Sequence, residues 1–165
     1  MKAISLFSSS GIGEFYLKEL GIEVIAANEI VDNRADLYSF LYPNSKMIKG
    51  DIKDTKVKNQ IQSYINKDVK LLIATPPCQG VSSLGKNKNQ NQFELDQRNY
   101  LIFHIFDIIE NGQFNYILIE NVPRFLEMYF PHKNKLQKLK DILLDKFGKD
   151  YIIESDILNA KDYGV

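Results

Sequence analysis

The run Val69-Lys70-Leu71-Leu72-Ile73-Ala74-Thr75-Pro76-Pro77-Cys78-Gln79-Gly80 decides how the chain is read. Its first part, residues 70–74, reads as a strand covered on both faces, from the continuous apolar run Leu71-Leu72-Ile73-Ala74. The two prolines that follow fix the backbone and end the strand. Cys78 then stands before a glycine and a polar stretch. A lone cysteine is most often a small buried hydrophobe, but this position suits the display of a thiolate nucleophile.

Outward from this strand, apolar runs alternate with helical periodicity. Strands are expected at residues 3–7, 23–27, 45–49, 70–74 and 116–119, with a further candidate at 151–157. A helix with Phe15, Leu17 and Leu20 on its apolar face is expected to end at Gly21, and others at 33–41, 57–66, 100–110 and 133–147. Residues 85–92 contain no apolar side chain and read as a surface loop. No internal repeat or linker interrupts the pattern, so residues 1–165 read as one domain. Strands and helices joined by short connections call for an α/β fold with a doubly wound, mostly parallel sheet. In such sheets ligands bind beyond the carboxyl ends of the strands.

Composition narrows the functional classes. The 21 basic and 21 acidic residues cancel, which argues against a stand-alone binder of the nucleic-acid backbone. One cysteine allows no intrachain disulfide and no cysteine-based zinc site, and no metal is expected. No apolar run is long enough to span a bilayer, and residues 1–7 lack the pattern of a secretory signal, so the expected location is cytoplasmic.

The strand ends carry the chemistry. After the first strand comes the turn Ser8-Ser9-Ser10-Gly11-Ile12-Gly13, small enough for backbone N–H groups to approach a ligand, although any tight turn needs small residues. Glu29, at the end of the second strand, lies 18 residues after Gly11, near the spacing at which an acidic side chain meets a ribose hydroxyl pair. Asp51 follows the third strand. Two carboxylates at one edge suit a nucleoside and repel a pyrophosphate; both residues could equally cap the next helices. Glu120-Asn121-Val122 ends the fifth strand, so a carboxylate and Cys78 emerge on neighbouring strand ends, within reach of one substrate. His104, on an apolar helix, reads as packed or rim-exposed rather than catalytic, and His132 has no acidic neighbour in sequence and receives no role.

Pro76-Pro77-Cys78-Gln79-Gly80-Val81-Ser82 and Glu120-Asn121-Val122, together with Asp96-Gln97-Arg98-Asn99-Tyr100-Leu101 and the 158–165 segment, resemble the bacterial cytosine-5 DNA methyltransferase family in order and spacing. The resemblance covers the N-terminal catalytic part of that family. It implies a Rossmann-like S-adenosylmethionine-dependent methyltransferase fold, here lacking its C-terminal strands. By similarity, Cys78 would attack C6 of a cytosine flipped out of double-stranded DNA, and Glu120 would hold the ring at N3. S-adenosyl-L-methionine is the implied cofactor. Phe7, Ser9, Ser10, Gly11, Glu29, Ile30, Asp51, Ile52, Pro77 and Leu101 match cofactor positions, with Glu29 on the ribose and Asp51 on the adenine edge. Gln79, Ser82, Lys86, Lys88, Arg98 and Asn121 match the DNA side. The sequence departs from the family where Ser9 and Ile12 replace two turn glycines and Ile30 replaces a frequent aromatic.

The family continues past the position of Val165 into target recognition. The resemblance therefore implies a split or truncated enzyme, with a second polypeptide supplying recognition and the C-terminal motifs. An inactive cofactor-binding or interaction fragment, or a tRNA cytosine-5 methyltransferase, are the alternative readings.

Overall fold

The structure is a computed structural model that describes residues 1–77 and 97–164. Five strands form one wholly parallel sheet: β1 (Lys2–Leu6), β2 (Glu23–Glu29), β3 (Lys46–Lys49), β4 (Val69–Ala74) and β5 (Tyr116–Ile119), in the order β3-β2-β1-β4-β5. The helices α1 (Asp32–Leu41), α2 (Thr55–Tyr64) and α3 (Leu101–Glu110) connect or flank the strands. A hairpin of β6 (Tyr129–His132) and β7 (Lys135–Lys138) then leads into α4 (Leu139–Phe147). The doubly wound parallel α/β architecture is thus borne out.

Strand alternation divides the core. Ile4, Leu6, Leu72 and Ala74 belong to a large cluster with Val57 and Ile61 of α2 and Ile102, Ile105, Phe106 and Ile109 of α3. Their neighbours Ala3, Leu71 and Ile73 form a smaller cluster with Leu17, Ile22 and Val24. β4 is therefore apolar at almost every position because both faces are covered. β5 is different: Ile117 and Ile119 pack on the large cluster, while Tyr116 and Leu118 are 62% and 55% exposed on its other face.

Three expected elements are corrected. The helix expected to carry Phe15, Leu17 and Leu20 and to end at Gly21 is not α-helical. After the 3-10 turn Ile12–Glu14, amides bond three residues back, as from Leu17 to Glu14 and from Gly21 to Lys18. Phe15 and Leu20 point outward, so little burial drives a regular helix there. The helix expected from residue 133 begins only at Leu139, because Lys133 and Asn134 adopt φ of 49° and 62° and turn the chain into the hairpin. Leu136, inside the expected helix, faces Pro131 across that hairpin and is exposed. The candidate strand at 151–157 is not formed; its tether is the Tyr151 hydroxyl, which donates to the Phe114 carbonyl at 2.9 Å.

Two ionic contacts pin the hairpin to α4. Asp145 lies 2.7 Å from His132 Nε2 and 2.7 Å from Lys133 Nζ. His132, which has no acidic neighbour in sequence, thus has one in space. These two partners, His132 first, hold the Asp145 carboxyl down to about 2. Because the folded value is depressed, the contact contributes fully above the ordinary carboxylate range and is lost as pH falls toward 2. A carboxyl NMR titration should find the Asp145 midpoint near 2, moving up in Lys133→Ala. In the core, Ile105 is fully buried, and Ile105→Ala should lower stability by about 2–5 kcal/mol in urea unfolding.

Candidate active site

Parallel pairing brings all five strand ends to one edge, and backbone and side-chain bonds lock them in series. The Ser8 amide and hydroxyl both donate to the Asn28 carbonyl, at 3.0 and 3.1 Å. The Thr75 hydroxyl donates to the Phe7 carbonyl at 3.0 Å, and its amide reaches Leu6. Asn28, 2% exposed, donates from Nδ2 to the carbonyls of Ile48 and Gly50 at 2.8 and 3.1 Å. Gly50, at φ 131°, takes a backbone shape that other residues avoid and donates its amide to the Glu29 carbonyl.

The turn after β1 is tightly curled. Phe7, Ser9 and Gly11 have φ of 59°, 50° and 82°. Ser9, where the family more often has glycine, thus holds a left-handed backbone at some cost. The Glu29 carboxylate answers it: Oε2 accepts from the Ser9 amide at 2.9 Å and Oε1 from the Val31 amide at 2.8 Å. Glu29 is buried at 5% exposure. Gly11 is required on a second ground, since a Cβ there would sit 2.2 Å from the Tyr42 ring. The Tyr42 hydroxyl donates to the Gly11 carbonyl at 2.5 Å.

The edge therefore gathers Phe7, Ser9, Ser10, Gly11, Glu29 and Asp51. Asp51 is half-buried and accepts from the Lys53 amide at 2.9 Å, with Lys53 Nζ at 3.3 Å. Ile30 is exposed beside them, whereas the side chains of Ile52 and Leu101 belong to the main core. Pro77 is half-buried at the end of the segment after β4.

On the other side of β4, the Glu120 amide donates to the Ala74 carbonyl at 3.0 Å, and the Glu120 side chain is exposed. Asn121 bridges the two motif-bearing strand ends. Its Nδ2 donates to the Pro76 carbonyl at 2.9 Å, and its Oδ1 accepts from the Val122 amide at 2.9 Å. Asn121, read from the sequence as a substrate contact, acts in the structure as this bridge. Arg98 is exposed at the start of the turn before α3. Cys78, Gln79, Ser82, Lys86 and Lys88 lie outside the described residues. His104 is half-buried in α3, where desolvation by burial lowers its pKa, as expected of a packed histidine.

Sequence reasoning missed Asn28, Thr75, Tyr42 and Glu14. The first two were open to discovery as polar residues ending apolar runs; the last two act through distant partners that no spacing shows. Among the described residues no cluster of three acidic, histidine or cysteine side chains could hold a metal, and no helix is long and apolar enough to cross a membrane.

A parallel sheet with a curled turn after β1, a carboxylate at the end of β2 and another after β3 defines a Rossmann-like domain with its ligand edge at the strand ends. The chain belongs to the C-5 cytosine-specific DNA methylase family, whose model matches residues 1–165. It is 48% identical over 162 residues to the type II methyltransferase M1.HgaI of Avibacterium volantium, covering 98% of this chain and 45% of that protein. The type II methyltransferase M.NgoPII of Neisseria gonorrhoeae is 31% identical, over 100% of this chain and 44% of its own length. The chain thus spans less than half the length of these relatives. Among solved structures, a prophage-encoded E. coli protein assigned as a DNA modification methyltransferase superposes with a TM-score of 0.73 at 24% identity, covering 99% of this chain and 42% of that one. That likeness carries the fold alone.

Asn28→Ala should leave the Ile48 and Gly50 carbonyls unpaired and cost about 1–3 kcal/mol in urea unfolding at neutral pH.

Proposed function

We propose that this chain is the cofactor-binding and catalytic part of a DNA (cytosine-5)-methyltransferase acting on double-stranded DNA in the cytoplasm. The observation that carries the reading is the bridge from Asn121 to the Pro76 carbonyl, which ties the Glu120 strand end to the segment leading into Cys78. Membership of the family supplies the reaction to which that pairing belongs.

The residues at the edge fit S-adenosylmethionine. Glu29 keeps lone pairs for a ribose hydroxyl pair, Asp51 offers an acceptor for an exocyclic amine, and two carboxylates disfavour a pyrophosphate in the same place. Ser9 to Gly11 would receive the remaining part of the cofactor, and Phe7 and Ile30 offer apolar contact to the adenine. When bound, the cofactor supplies an electrophilic methyl group.

The other steps fall to the chain itself. The Cys78 thiolate adds to C6 of the flipped cytosine, which makes C5 electron-rich. The Glu120 carboxyl hydrogen-bonds at N3, where charge develops as the ring is attacked. Once C5 has gained its substituent and lost its proton, the C6–sulfur bond breaks and Cys78 leaves as thiolate. A sulfur nucleophile suits this sequence because it both adds and departs readily. Gln79, Ser82, Lys86, Lys88 and Arg98 are the candidates on the DNA side.

The neutral charge of the chain leaves little electrostatic grip on a duplex. We infer that a second polypeptide contributes the target-recognition surface. The test is transfer of labelled methyl groups from S-adenosylmethionine to mixed double-stranded DNA and to tRNA, by this chain beside its Cys78→Ala variant. Little or no label is expected from the chain alone, and label on DNA once the recognition polypeptide is added. That label should fall at least about a thousandfold in Cys78→Ala. Cys78-dependent labelling of DNA by the chain alone would overturn the need for a partner, and labelling of tRNA instead of DNA would overturn the substrate.

A further inference from the structure

Glu14 is a buried ionisable group that the proposed chemistry does not use. It closes the 3-10 turn Ile12–Glu14 and is 3% exposed. One carboxyl oxygen accepts from the hydroxyl of Ser5, which is itself buried in β1. The other, Oε2, is buried with no hydrogen-bond partner among the described residues.

An ionised carboxylate with one bare oxygen is very costly in such a place, and the neutral acid is not. Burial accordingly raises the Glu14 pKa. The titratable groups that face it are Tyr38 in α1 and Tyr42 just beyond it, both phenols raised in turn by burial and by the nearby Glu14. Neither carries charge near neutrality.

Position gives the group its meaning. The turn from Ser8 to Glu14 is clasped on two flanks: Tyr42 holds the Gly11 carbonyl, and Glu14 holds Ser5 in the central strand. Between these clasps lie the left-handed Ser9 and Gly11 and the Ser9 amide that meets Glu29. Left-handed Ser9 does not keep that shape unaided.

We propose that Glu14, acting through Ser5, is a positioning residue that holds the 8–14 turn in the shape that receives the cofactor. The inference rests on the S-adenosylmethionine reading of this edge. Glu14 would touch no cofactor atom; its effect is on the pre-organisation of the turn.

Calorimetric titration of S-adenosylhomocysteine into the 165-residue chain tests it, using the parent, Glu14→Gln, Glu14→Ala, Ser5→Ala and the double variant Ser5→Ala/Glu14→Ala. The two single alanine variants should each weaken binding at least about tenfold, and the double variant should bind no worse than the weaker single. Glu14→Gln, which keeps a partner for Ser5, should stay within about threefold of the parent. Ser5→Ala is the mild probe should Glu14→Ala unfold, and its thermal midpoint without ligand separates lost stability from lost positioning.

Parent-like binding by Ser5→Ala, fully additive losses in the double variant, or a Gln variant as weak as the Ala variant would each overturn the proposal. A parent that binds no S-adenosylhomocysteine would overturn the cofactor reading and the role of Glu14 with it. A loss of role for Glu14 alone leaves parent binding intact, so the two failures are distinguishable.

Discussion

The structure depends on the parallel pairing of β1 with both β2 and β4. A strand hydrogen-bonded on both sides in the same direction places its own end level with those of its neighbours. Among the described residues, the functional groups are thereby gathered without any long loop to carry them. Buried backbone groups at such an edge need partners, and here polar side chains supply them: Asn28 toward β3, Thr75 toward β1, Asn121 toward the segment after β4. The polar residues at the strand ends are the means by which five strands form one surface.

Charge is arranged to the same end. Many surface cations, half-buried or exposed, stand opposite acids, as Lys58 with Asp107, Lys146 with Glu110, and Lys138 and Lys140 with Glu127. The lysine-rich flank of α4 is thus occupied locally instead of forming a free basic face. Surface pairs of this kind contribute little to stability, and their effect here is to keep the surface electrically mixed.

The strands were legible because apolar runs bounded by turn residues have few other interpretations, and α1, α2 and α3 were legible because burial and periodicity agree. Residues 12–21 misled because their apolar spacing is helical while Phe15 and Leu20 have nothing beneath them. The hairpin was hidden by leucines whose spacing continues through it; only the Lys133-Asn134 turn, an unusual pair for left-handed backbone, breaks the run. Glu29 was found because its distance from the turn is fixed by one strand–turn–strand unit. Glu14 was not, since its meaning comes from Ser5, nine residues back and on another element. Asn121 was picked out for the DNA side, and its bridge to the Pro76 carbonyl, 45 residues back, is a contact that no spacing shows.

The central place of β1 also bears on how the chain is made. Ala3, Ile4, Ser5 and Leu6 are all at most 1% exposed once folded, yet their partner on one side, Val69–Ala74, is synthesised more than sixty residues later. At roughly 5–20 residues per second, β1 waits several seconds for β4 with that edge bare, while β2 and β3 are already made. Until β4 arrives, the strand that ends at the centre of the sheet is an edge, open to pairing with another chain.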